Sequence, residues 1–219
     1  MAGKKRLFIA GQTYYVLLEG REGSFCFFDP ACYRYYLNRL RNALGPYQIQ
    51  LHAYALLPNE VQLLVTPLTP AAVPRFIKAI NKSYAHYYNI RFNHPGALFN
   101  ARFRSSLVQA DQYLLECQKY IENSPVFAGL SRCPGTWEWC SYCTNAFGGH
   151  GRLLSPHLEY SRLHRARCNH YQWYRAYIDA PFSEDRLKRL RSLLRSGCPL
   201  VNEGFSGRAV RAIRRSVPA

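Results

Sequence analysis

The chain has 219 residues, 29 Lys and Arg against 13 Asp and Glu, and a net charge of +16. That length supports a buried core and one large domain, or one domain with an extension. No apolar run reaches the roughly 18 residues of a membrane span, and Leu7 to Ala10 is too short for the core of a signal peptide.

The charge excess predicts attraction to a polyanion, nucleic acid first. The 17 Tyr, 12 Phe and 3 Trp suit single strands, whose bases stack on rings while cations follow the phosphates. Many of these rings are equally core material. The eight cysteines are scattered and read as free thiols in a reducing cytoplasm.

Thr13 to Leu18 reads as a strand and Glu19 to Ser24 as a Gly-rich polar loop. Asp29-Pro30 supplies a helix cap with Pro at the first helical position, opening a helix from Pro30 to Leu44. Tyr33, Tyr36, Leu37, Leu40 and Leu44 form its apolar face, and Gly45-Pro46 ends it.

Tyr47 to Leu57 and Glu60 to Thr66 read as a hairpin turning at Pro58-Asn59. Strand side chains alternate, so Glu60, Gln62 and Leu64 share one face and Val61, Leu63 and Val65 the other. Two polar groups side by side on an apolar strand cost free energy unless paired. They mark a wet strand end, a local hydrogen bond or a site. His52 is expected to face away from Leu51 and Ala53 as a satisfied sheet residue.

A second helix runs from Thr69 or Pro70 to about Ile90, with Arg75, Lys78 and Lys82 off its apolar face. Asn93 to Ala101 is a loop. Arg102 to Val108 reads as a strand with Arg102 and Arg104 on one face. A third helix, Gln112 to about Asn123, is expected to stop at Ser124-Pro125. The order β, α, β, β, α, β, α predicts an α+β fold: a ferredoxin-like antiparallel sheet with helices on one face. Pro134 to Tyr142 packs back on it. We divide the chain into a domain at 1–145 and a basic, mainly helical extension at 146–219. Within the extension, Gly148 to Gly151 is a link and Leu153 to Asp179 holds helical fragments. Ser183 to Ser196 is a capped amphipathic helix with Arg195 at its end. Gly207 to Arg215 is expected to form a last short basic helix.

Four stretches carry a resemblance: LHAYALLPNEVQLLVTP (Leu51 to Pro67), ALFNARFRSSLV (Ala97 to Val108), YLLECQKYIENSPVFAGL (Tyr113 to Leu130) and WEWCSY (Trp137 to Tyr142). In this order and spacing they resemble the REP-associated tyrosine transposases, single-strand DNA transposases of the HUH superfamily. The resemblance spans roughly Gly11 to Tyr142. It implies strand cleavage by a Tyr oxygen, giving a 5′-phosphotyrosine and a free 3′-OH, with a divalent metal polarising the phosphate. It implies Tyr120 as the nucleophile. It places the metal ligands at Glu60, Gln62 and either Ser124 or Asn123, with Mg²⁺ or Mn²⁺ as the ion. It implies single-stranded or hairpin DNA as partner, a monomer or homodimer, and a nucleoid-associated cytoplasmic protein.

The chain departs from the family at this site. The family's Pro-Asn-His-x-His is Pro58-Asn59-Glu60-Val61-Gln62 here, so both histidines are replaced. The Asn four residues after the Tyr is Ser124, and the loop after the first strand is Glu19-Gly20-Arg21 rather than Arg-Gly-Asn-like. Two readings follow. One is a disabled metal site on a retained DNA-binding fold. The other is a working transposase whose oxygen ligands hold a hard cation. A third, an RNA-binding module, rests on charge and aromatic content alone.

Arg21, Lys78, Lys82, Arg102, Arg104 and Lys119 are the candidate phosphate contacts. Tyr113 is an alternative nucleophile, better read as packing. Cys140-x-x-Cys143 with Cys133 and His150, and the group His164, Cys168 and His170, are loose zinc patterns. The first is better read as drift from the family's Trp-Ser-Ser-Tyr.

Overall fold

Every residue from Glu60 to Pro67 is buried, so the strand they form needs cover on both faces. The computed structural model, which describes residues 8–149, 153–166, 169–202 and 204–205, supplies it. Strands β1 (Thr13–Glu19), β2 (Ile49–Leu57), β3 (Glu60–Pro67) and β4 (Arg104–Val108) form one antiparallel sheet in the order β2-β3-β1-β4. This is the ferredoxin-like order, with β1 and β3 central.

Helices α1 (Pro30–Leu44) and α2 (Ala72–Phe92) cover one face. There Val16, Leu18, Val61 and Leu63 pack with Tyr36, Leu40, Phe76 and Tyr84. Asp29 caps α1, its side chain accepting from the Cys32 N–H at 3.0 Å. Gly20, just after β1, is required by close approach: a Cβ there would lie 2.0 Å from the Ser24 carbonyl oxygen.

The opposite face carries Tyr15, Leu17, Ala55 and Leu64 under α3 (Ala110–Phe127). The rest of the chain closes over the same core. Helices α4 (Tyr142–Phe147), α5 (Leu158–Ala166), α6 (His170–Asp179) and α7 (Glu184–Ser196) contribute Ala146, Tyr160, Tyr174, Ile178, Leu190 and Leu194. Both sheet edges are blunted by short pairings, Ala55 with Cys140 beside β2 and Val108 with Leu200 beside β4. Unpaired edges invite association with other chains.

Four expectations change. A β-bulge between Leu51 and Ala53 puts Leu51 in the core under α1 and α2 and Ala53 in the core under α3, so the two do not share a face. The displaced His52 is satisfied, bonding the Ser155 carbonyl at 2.7 Å and the Thr66 hydroxyl at 2.8 Å. Helix α3 does not stop at Ser124-Pro125; it continues to Phe127 because Ser124 and Pro125 are themselves buried in it. Strand β4 begins at Arg104, since the Asn100 N–H already turns onto the Glu19 carbonyl at 2.9 Å. Helix α2 begins at Ala72 rather than Thr69 or Pro70. The helix expected at Gly207 to Arg215 lies outside the described residues.

One buried charge ties the extension to α3. Glu122 is fully buried and accepts from Ser141 Oγ at 2.7 Å, Asn145 Nδ2 at 2.8 Å and Tyr174 Oη at 2.9 Å. Burial pushes its carboxyl up from 4.5 to about 7, against the pull of the three donors. The folded state therefore binds more protons than the unfolded chain between those values, and stability falls as pH rises through that window. Burial moves His52 the other way, down from 6.5 to about 4, so its contribution is lost as pH falls over a nearly coincident range. The two offset one another in the native chain. The Glu122→Gln variant exposes the difference. Relative to it, the native protein is expected to lose about 3 kcal/mol between pH 4.5 and pH 8 in urea unfolding. A pH-independent difference would contradict the assignment.

Candidate active site

The polar face of β3 points at α3. Gln62 donates through Nε2 to Glu60 Oε1 at 2.6 Å and accepts from Ser124 Oγ at 2.9 Å through Oε1. Tyr120 and Ser124 are four apart on α3, hence on one helix face, and the Ser124 hydroxyl also reaches the Tyr120 carbonyl at 2.9 Å. Glu60, Gln62, Tyr120 and Ser124 thus line one cavity of about 260 Å³. The resemblance named these four residues, and the fold brings them together.

It does not bring Asn123. That side chain donates to the Lys119 and Ile178 carbonyls at 3.0 and 3.2 Å, turned toward α6. Tyr113 packs against the core beneath the Arg186 guanidinium, as expected of a packing residue.

Three residues of the site were not foreseen: Glu19, Arg191 and Arg195. Glu19 on β1 stands directly opposite Glu60 on β3. Like charges facing across strands are destabilising. Arg195 of α7 answers both, donating to Glu60 Oε2 at 2.6 Å and to Glu19 Oε1 at 3.1 Å. Arg104 pairs with the other Glu19 oxygen at 3.2 Å and also donates to the Arg195 carbonyl. Arg191, one turn before Arg195, lines the same cavity as Tyr120. The signal available in the sequence was the i, i+4 spacing of two arginines on one amphipathic helix. Nothing local indicated which surface they would meet.

Burial raises the Tyr120 phenol above its ordinary pKa of 10.0; Arg195 and Arg191 pull it down, and Glu60 adds to the rise. The hydroxyl is therefore protonated near neutral pH. Its ring sits edge-on to Tyr15 at 6.3 Å.

The donors present do not fit a divalent cation. Glu60, the carboxylate bonded to Gln62, and its cross-strand neighbour Glu19 are already met by the Arg195 guanidinium at 2.6 and 3.1 Å. The Gln62 carbonyl oxygen is taken by Ser124. Among the described residues no group of three or more His, Cys, Asp or Glu could hold a metal. Cys140 is buried with its Sγ toward the Pro134 and Trp137 carbonyls, and Cys143 turns to Gly135. His150, Cys168 and the His164 side chain lie outside the described residues.

The candidate phosphate contacts divide. Arg21, Lys78, Lys82 and Arg102 are exposed. Lys78 and Lys82 line a groove of about 520 Å³ between α2 and the segment 97–103. Arg104 is exposed but held by Glu19. Lys119 is not at the surface: it is buried, its Nζ 4.8 Å from the ring centres of Tyr177 and Phe182. Desolvation there lowers its pKa.

Residues 24–124 match a protein-family model described as "Transposase IS200 like". Among solved structures, the chain is similar to a REP-associated tyrosine transposase bound to a REP hairpin. The TM-score is 0.58 at 16% identity, over 72% of this chain and 93% of that one. A transposase crystal structure from Deinococcus radiodurans R1 also matches, with TM-score 0.39 and 22% identity, over 55% of this chain and 95% of that one. No curated protein matches by sequence. No helix among the described residues is long and apolar enough to cross a membrane.

Removing Arg195 leaves Glu60, whose side chain is only 7% exposed, without its cation and facing Glu19, which keeps Arg104. Stranding a buried charge is costly, although the 39% exposure of Arg195 lets water screen part of it. Arg195→Ala is expected to lose about 1–3 kcal/mol in urea unfolding. Adding Glu60→Gln should recover most of that loss, and an additive double variant would contradict the pairing.

Proposed function

We propose, from the premise that residues 24–124 of this chain belong to the IS200-like transposase family, that the protein binds hairpin-bearing single-stranded DNA and does not cut it by metal-dependent chemistry. The observation that carries this reading is the Arg195–Glu60 bond, made where the family resemblance puts a metal ion. A guanidinium satisfies the carboxylate there, and the two family histidines are Glu60 and Gln62. Tyr120 keeps its position beside these residues, and the Glu60 carboxylate and the Gln62 carbonyl oxygen there are already engaged by Arg195 and Ser124.

DNA as partner is supported by the +16 charge and by the ferredoxin-like fold shared with a transposase bound to a REP hairpin. Residues 1–145 supply the sheet and α3, and 146–219 supply α7 with its arginines. Lys78 and Lys82, exposed along one groove, are the leading phosphate contacts. Each cation that neutralises a phosphate steepens the salt dependence of binding.

Two measurements test this. Hairpin-bearing single-stranded DNA from beside the coding sequence, incubated with Mg²⁺ or Mn²⁺, is expected to give a gel shift and no covalent protein–DNA adduct on a denaturing gel. An adduct that Tyr120→Phe abolishes would instead establish a working transposase. In the same binding assay, Lys78→Ala with Lys82→Ala is expected to flatten the log Kd against log salt slope by about 2. An unchanged slope would remove the groove from the interface.

A further inference from the structure

We propose that α7 supplies, through Arg191 and Arg195, the positive charge that the family draws from a divalent cation, making the cavity beside Tyr120 a metal-independent pocket for a phosphodiester of single-stranded DNA. This rests on the DNA-binding reading above and names the part of the strand that the site takes.

The two arginines lie one helical turn apart on the same face of α7 and line the cavity together with Tyr120. Arg195 spends one terminal nitrogen on Glu60 and the other on Glu19. A guanidinium has five N–H donors in a planar fork suited to phosphate oxygens, so donors remain. Arg191 is exposed and forms no ion pair with any described carboxylate. Of the residues lining the cavity, the guanidinium groups of Arg191 and Arg195 face one carboxylate, Glu60, and next to it Arg104 pairs with Glu19. One positive charge is in excess, enough for one phosphodiester.

The cavity also has the right scale. At about 260 Å³ it falls below the roughly 300–1,000 Å³ of drug-sized pockets, while admitting a phosphate and its ester oxygens. Its polar lining is Glu60, Gln62, Tyr120, Ser124 and the two arginines, with Glu60 already bonded to Arg195 and Gln62, and Leu57, Phe127 and Ala128 supply the apolar lining. Charge-assisted bonds from a guanidinium to a phosphate are among the strongest a protein surface makes. In a site where Glu60 is already neutralised, an anion gains them without first displacing a metal.

The test follows the side-chain Nε–Hε signals of ¹⁵N-labelled full-length protein in EDTA. Inorganic phosphate is titrated first and pentathymidylate second. Both are expected to shift the Arg191 and Arg195 signals saturably, pentathymidylate at the lower concentration. Arg191→Gln, at an exposed position free of ion pairs, should leave the urea midpoint unchanged and weaken both by roughly tenfold. Signals that do not move, that respond only once Mg²⁺ is added, or that are indifferent to Arg191→Gln would overturn the proposal and leave α7's arginines as structural ties. A response to phosphate but not to pentathymidylate would overturn the phosphodiester assignment. Hairpin DNA binding measured on the same samples separates the two claims. Binding with a silent pocket ends this proposal alone, whereas a responsive pocket without hairpin binding ends the hairpin reading alone.

Discussion

The structure turns on two carboxylates that face each other. Glu19 and Glu60 are cross-strand neighbours on β1 and β3, and such a pair, with Glu60 buried and Glu19 half-buried, is destabilising without a cation. In this chain the cation is covalently tethered. Arg195 sits in the last turn of α7, where a positive charge also complements the helix dipole. Gly197 ends that helix in a left-handed conformation at φ 77°. Arg104 secures the arrangement from the other side by holding both Glu19 and the Arg195 carbonyl. Leu190 and Leu194 bury α7 in the core, and this ion pairing fixes which of its charges face the cavity beside Tyr120.

The same interaction shows how a polar strand face can be satisfied inside this sheet. A strand bearing Glu and Gln in place of two histidines keeps a polar face that must still be satisfied. Here Gln62 links Glu60 to Ser124, joining β3 to the helix that carries Tyr120. The relation between the sheet and α3 is thereby held by hydrogen bonds.

Much of this was legible in the sequence where the determining forces are local. Asp29-Pro30 marked the start of α1, alternation assigned the two faces of β3, and Ser183 marked the cap of α7. The meeting of Glu60, Gln62, Tyr120 and Ser124 was legible only through the family pattern. What stayed hidden depends on contacts distant in the chain. Arg195 and Glu60 are 135 residues apart, and no periodicity in α7 says which strand it will meet. Lys119 read as a surface cation until Tyr177 and Phe182, contributed by and just after α6, covered it. The bulge at His52 is set by its partners Ser155 and Thr66, not by its neighbours in β2. Pro125 stays helical because its surroundings are buried, a tertiary effect outweighing a local preference against helix.

The central claim is that a guanidinium stands where the family resemblance puts a metal ion. The most direct measurement is a crystal soaked in Mn²⁺ and examined for anomalous scattering. The expected result is Arg195 against Glu60 and no anomalous peak between Glu60, Gln62 and Ser124. A Mn²⁺ peak at that position, with Arg195 displaced from Glu60, would contradict it.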